Sequence, residues 1–248
     1  VKKILLLFIL LSLTVSCAWA QSLTVVAAAS LRFAMEDMAK EFEQVHPGSK
    51  IEIVFSSSGK AYAQITNGAP FDLFFSADMH YPERLHAEGY AIDEVKQYAV
   101  GRLVIWQRRG GPVDLNKGIA GLDHPVVQRL AIANPELAPY GAAAKEALID
   151  QDLWEKLTPR MVMGENISQT AHFAASGAAQ AGLIAYALAL SDDMQRIGEF
   201  ALVDESIHTP MPLGFVILKS AKNIPLAQKF GAFVLNPEGK AVLSRYGF

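Results

Sequence analysis

Four times along this chain an apolar, strand-forming run ends in small or polar residues and a helical pattern starts at once. That alternation predicts an α/β fold with mostly parallel sheets, their strands buried on both faces and flanked by helices. In the first unit LTVVAAAS runs into LRFAMEDMAKEFEQVHPG. Leu31, Ala34, Met38, Phe42 and Val45 recur at steps of three and four, the stripe of an amphipathic helix. Ser30 stands at the expected N-cap, and Pro47-Gly48 is the stop. In the second unit IEIVF leads through SSSG into KAYAQITNG, with Gly68 as the helix end. In the third, RLAIANPELAPYG leads into AAAKEAL, and Pro135 and Pro139 delay the helix to about Tyr140. In the fourth, RMVMGENI leads into SQTAHFAASG, with Gly177 as the stop.

Further apolar runs at 72–78, 101–107, 181–187 and 212–219 supply other strands, and residues 224–248 form an amphipathic end. Two junctions fall early and two after residue 130, which predicts two lobes. The expected division is residues 21–100 with 204–248 in one lobe and 101–203 in the other. Open α/β sheets bind ligands at the carboxyl ends of their strands.

Residues 1–20 read as a signal peptide. Lys2 and Lys3 precede an apolar stretch from Ile4 to Val15, and Ala18-Trp19-Ala20 places cleavage before Gln21. Cys17 offers lipid modification as the alternative, but Thr14 stands where such sites usually carry leucine. Export to the periplasm is therefore the expectation. Without its leader the chain has no cysteine, so no disulfide is available and the fold must rest on its core. The leader takes two lysines, leaving 20 basic against 25 acidic residues, a net charge of −5. This balance argues against nucleic acid as a partner. Any bound anion has to be held by local geometry and not by the overall field.

A helix start presents free N–H groups and the positive end of the helix dipole. A strand–small residue–helix junction is thus a natural anion seat. Four of them could converge from two lobes on one small tetrahedral oxyanion. Competing chemistry finds little support. No G-x-S-x-G elbow occurs, and Gly59-Lys60-Ala61 does not complete a Walker loop. The histidines His46, His80, His86, His124, His172 and His208 lack metal-site spacing and read as surface or capping residues. Asp72 and Asp78 bracket an apolar run and read as hinge or capping residues more than as an acid–base pair.

The segments AAASLRFA, SSSGKAYAQITNGAPFDLFFSAD, NPELAPYGAAAKEAL, GENISQTAHFAASGAAQAG and PEGKAVLSRYGF occur in this order from about residue 23 to the end. Together they resemble the periplasmic molybdate-binding proteins (ModA) of ABC transporters. The resemblance implies a two-lobed type II periplasmic binding protein fold, not an enzyme, and no cofactor. Its ligand would be molybdate or tungstate, with another small oxyanion or organic anion as the alternative. The implied partners are a membrane permease and its cytoplasmic ATPase, with the binding protein a monomer. Carried over by motif, Ala29 and Ser30, Ser58, Tyr140 and Ile167 hold the anion, the last two through backbone N–H. No residue is implied as a direct cation ligand. The family's tyrosine after a GIVY-type glycine has no match: Ala185 stands there and Tyr186 is one position late. Reversed on its strand, Tyr186 is not counted as a ligand. Neutral donors of fixed length suit size selection better than a flexible cation, so Lys60 and Arg32 are expected to point away. Ser56 and Ser57 are expected to finish the strand and cap the turn.

Overall fold

The computed structural model describes residues 21–248. The signal peptide and Cys17 readings therefore lie outside the described residues. The first three strands are β1 (Gln21–Ala28), β2 (Ser49–Ser56) and β3 (Leu73–Phe75). Helices α1 (Arg32–Val45), α2 (Ser58–Thr66) and α3 (His80–Ala87) follow them in turn. Then come β4 (Lys96–Gly101) and β5 (Leu103–Arg108), separated by Arg102 alone. The middle of the chain forms β6 (Leu130–Ala133), α4 (Pro139–Asp150), α5 (Trp154–Leu157), β7 (Met161–Gly164) and α6 (Ile167–Ala175). It continues through β8 (Ala181–Ala185), α7 (Tyr186–Ala189), α8 (Asp192–Ile197) and β9 (Gly198–Leu202). The chain closes with β10 (Met211–Ile217), α9 (Ile224–Leu235) and α10 (Pro237–Arg245).

Among the described residues, ten strands make two five-stranded sheets, ordered β2-β1-β3-β10-β4 and β7-β6-β8-β5-β9. In the first, β1, β2 and β3 are parallel, and β10 runs antiparallel to both β3 and β4. In the second, β6, β7 and β8 are parallel, and β5 runs antiparallel to both β8 and β9. Each sheet is therefore mixed: four strands point one way and one is reversed. The reversed strands are those by which the chain enters the second sheet and returns to the first. Arg102 is pinned at the entry: it donates to the Gly247 carbonyl at 2.9 Å and stacks 4.5 Å over the Tyr186 ring.

The helical stripe of α1 buries Ala34, Met35, Met38 and Phe42, whereas Val45 at its end is exposed. Phe42 meets Phe230 of α9 edge-on, with centroids 5.1 Å apart. Phe75 stacks on Phe215 at 4.7 Å across the β3–β10 pair. Buried side chains of this size contribute roughly 1.5–3 kcal/mol each. The amphipathic end divides at Asn236, whose side chain accepts from the Gly239 N–H at 2.8 Å and starts α10. Asp72 ties the fold together, since its buried carboxylate accepts from the Thr24 N–H at 2.6 Å and the Lys222 N–H at 2.7 Å. Its two oxygens each accept one N–H, which joins β1 to the residues after β10. His208 differs from expectation, since it is buried in the return segment with Nδ1 2.8 Å from the Thr209 carbonyl.

Candidate functional site

Register brings the four junctions together. Ala28 and Ser56 are Cα partners at the ends of β1 and β2, so the turns after them start side by side. Ala133 and Gly164 are partners at the ends of β6 and β7, which aligns the other two junctions likewise. Residues of the junctions from both sheets meet at one small cavity, lined by Ala28, Ala29, Ser30, Ser56, Ser57, Ser58, Ala77, Ala138, Pro139, Tyr140 and Ile167. Ala29, Ser30, Ser58, Tyr140 and Ile167 are thus brought into one place. Its accessible space, about 10 Å³, is far below the roughly 300–1,000 Å³ of pockets for drug-sized ligands. It has room for no more than one small ion.

The lining carries no charged side chain. Lys60 instead pairs with Glu165 at 3.3 Å, and Arg32 stacks on Phe55 at 4.9 Å while reaching Glu36 at 3.8 Å. Donors come from the backbone and from hydroxyls. Ser58, Tyr140 and Ile167 lie in the first turns of α2, α4 and α6, where N–H groups have no intrahelical acceptor. Among the described residues, none of these three amides reaches a hydrogen-bond acceptor. Side chains at two of the three starts leave the amides free. Asn166 caps α6 by accepting from the Gln169 N–H, and Pro139 at the head of α4 contributes no N–H.

The hydroxyls differ in their engagement. Ser58 Oγ accepts from the Ala77 N–H at 3.0 Å, which fixes the oxygen and leaves its proton to be donated. Five buried side-chain polar atoms lack a partner among the described residues: Ser30 Oγ, Ser57 Oγ, Trp106 Nε1, the Tyr140 hydroxyl and His208 Nε2. Three of the five belong to this cavity's lining, where each unpaired group costs about 1–3 kcal/mol. Burial holds the Tyr140 phenol well above the ordinary tyrosine range, against a smaller opposing effect of the neighbouring Ser30 hydroxyl. Tyr140 therefore stays neutral and able to donate. Burial likewise raises the Asp78 carboxyl beside the lining residue Ala77, opposed by hydrogen bonds from the Ser76 hydroxyl and the Tyr81 N–H.

Two expectations need correction. Ser30 is not the N-cap of α1, because a 3-10 turn over Ala29–Leu31 intervenes and Leu31 takes that position. The turn carries the Ser30 hydroxyl inward instead of over the helix start. Ser57 does occupy the N-cap of α2, but its side chain makes no capping hydrogen bond. Tyr186 is absent from the lining: it opens α7 and packs under Arg102 and edge-on to Phe200, at 5.6 Å.

The sheets are also joined across the cavity mouth. The Gly59 N–H donates to the Leu137 carbonyl at 2.9 Å, and the Ser168 hydroxyl donates to the Ala29 carbonyl at 2.9 Å. The Tyr81 hydroxyl donates to the Glu136 carbonyl at 3.4 Å. Nothing local in the sequence marks Gly59 and Ser168 for this role, because their partners lie on the opposite lobe. Their position beside Ser58 and Ile167 is the only hint.

Two α/β halves joined by two crossings, with helix starts converging on a neutral ion-sized chamber, define a two-lobed solute-binding protein of the periplasmic class. The chain belongs to the bacterial extracellular solute-binding protein family, whose profile matches residues 23–248. It is 36% identical over 232 residues to the molybdate-binding protein ModA of Azotobacter vinelandii, covering 93% of this chain and 91% of that one. It is 34% identical over 228 residues to ModA of Rhodobacter capsulatus, covering 90% and 87%. The solved structure of the Azotobacter vinelandii periplasmic molybdate-binding protein superposes with a TM-score of 0.85 at 33% identity, covering 91% of this chain and 97% of that one. These relatives are solute-binding transport proteins and not enzymes, and this chain is of the same class.

Proposed function

We propose that this protein captures molybdate, and tungstate of nearly equal size, in the cleft between its lobes and delivers it to an ABC importer. The lobes in this reading are residues 21–100 with 204–248 and residues 101–203. The observation that carries it is the chamber's donor set: unpartnered N–H groups of Ser58, Tyr140 and Ile167 with the hydroxyls of Ser30 and Ser58, and no cation. Ala29 supplies the lining beside Ser30 and accepts the Ser168 hydroxyl from the opposite lobe. Relatives named as molybdate-binding support the choice of cargo.

The chemistry follows from the donors. A tetrahedral dianion is acceptor-only at the relevant pH, and hydrogen bonds to it are short and strong. N–H groups fixed at helix starts also bring the favourable ends of three helix dipoles. Their directions cannot follow a smaller ion inward, so sulfate and phosphate lose contacts that molybdate keeps. Ligand that touches both lobes favours the closed form by its differential affinity for the two states. The closed protein, a periplasmic monomer, then docks on a permease driven by a cytoplasmic ATPase.

The test is a thermal-shift panel on the mature protein with molybdate, tungstate, sulfate and phosphate. Ligand at 100 times its Kd adds about 2.7 kcal/mol of stability. For a chain of this size that is a rise of roughly 5–10 °C. The expected result is such a rise with molybdate and tungstate and a much smaller one with the other two. No rise with any of the four removes the proposal.

A further inference from the structure

We infer that Ser57 gives the bound anion a further hydroxyl, next to that of Ser58, and so helps set its affinity. This rests on the anion-binding reading above and names a residue that neither its sequence motif nor helix capping accounts for.

Ser57 occupies a capping position without capping. It stands at the N-cap of α2 with extended backbone angles, φ −77° and ψ 153°. A serine there ordinarily accepts from the second or third N–H of the helix. Its side chain accepts neither. The second of those N–H groups, that of Gly59, is committed to the Leu137 carbonyl of the opposite lobe at 2.9 Å. That cross-lobe bond takes one of the two N–H groups a capping serine could accept from, and the Ser57 side chain accepts from neither.

The side chain does not turn to solvent instead. Ser57 is 3% exposed, and its Oγ has no partner among the described residues. It lines the same chamber as Ser30, Ser58, Tyr140 and Ile167. A hydroxyl carries one donor and two acceptor sites, and a buried one left unpaired is unfavourable. An oxyanion in the chamber would accept that proton. Ser58, the neighbouring residue, already shows the division of labour: its oxygen is held by the Ala77 N–H and its proton is free. Ser57 lacks even that anchor, so the anion is the group that would order it.

The experiment is titration calorimetry of molybdate into the mature wild type, Ser57→Ala and Ser57→Gly, with ligand-free melting of all three. Glycine is itself an accepted N-cap residue, so Ser57→Gly removes the hydroxyl while preserving the helix start. Both variants are expected to bind about tenfold more weakly, a change of about 1.4 kcal/mol. Their ligand-free melting temperatures are expected to match or exceed wild type, because an unpaired buried hydroxyl is gone. Wild-type affinity in both variants overturns the inference. So does a lowered ligand-free melting temperature in Ser57→Ala with affinity retained, the signature of a cap. If wild type itself does not bind molybdate, the failure belongs to the anion-binding reading and not to Ser57.

Discussion

Replacing Gly59 with alanine should weaken ligand capture while leaving the ligand-free fold intact. A Cβ at this position would lie 2.6 Å from the Tyr81 hydroxyl and 3.0 Å from the Leu137 carbonyl oxygen. The first contact is with the end of a side chain, which can swing away and give up its 3.4 Å reach to the Glu136 carbonyl. The second is with backbone of the opposite lobe, which must give by a few tenths of an ångström and so stretches the 2.9 Å bond from the Gly59 N–H. Overpacking of this kind costs about 1–3 kcal/mol. The cost falls on the closed form alone, so it appears as a Kd raised roughly 5- to 150-fold. Within α2 itself alanine is the better helix former, by up to about 1 kcal/mol. Calorimetric titration with molybdate, paired with ligand-free thermal melts, separates the two effects. A wild-type Kd, or a ligand-free melting temperature that falls in step with affinity, would refute the reasoning.

Other substitutions probe other groups. Ser58→Ala should cost about 1.5–3 kcal/mol in molybdate binding, the range for a hydrogen bond to a charged group, measured by the same titration. Lys60→Ala should change affinity by less than tenfold, since its partner Glu165 is exposed and such pairs contribute about 0–1 kcal/mol. Asp72→Ala should destabilise the fold by about 1–3 kcal/mol in denaturant melts, because two part-buried N–H groups lose their acceptor. Asp37 is held below the ordinary aspartate range, foremost by the Tyr246 hydroxyl at 2.7 Å, while burial foremost lifts Tyr246 to about 12. A depressed carboxylate contributes stability above its unfolded pKa and loses it as pH falls through the folded value. The stability gap between wild type and Tyr246→Phe, measured by denaturation, should therefore be present at neutral pH and shrink in acid below the ordinary aspartate range.

Local chemistry made much of this protein legible from its sequence. Each of the four junctions forms where an apolar run meets small residues, and Gly68 and Gly177 end their helices with positive φ, at 86° and 81°. Pro139 opens α4 one residue before Tyr140, as the proline spacing required. What stayed hidden depends on distant partners. Strand direction is one example: the runs at 101–107 and 212–219 read as strands, but nothing local marks them as the reversed members of their sheets. Ser30 does line the chamber, but the turn before α1 takes it off the cap that its sequence position suggested. Ser57 looked like a cap because serine before a helix usually is one. The structure instead leaves its hydroxyl uncapped and buried in the chamber, with the Gly59 N–H drawn to the opposite lobe.

The central claim is that one anion sits where the four strand–helix junctions meet. Diffraction from crystals grown with tungstate, collected at the tungsten absorption edge, tests it directly. One strong anomalous peak is predicted in the chamber, placed so that the tungstate oxygens reach the Ser30 and Ser58 hydroxyls and the Ser58, Tyr140 and Ile167 amides. A peak elsewhere on the protein, or none at saturating tungstate, would contradict it.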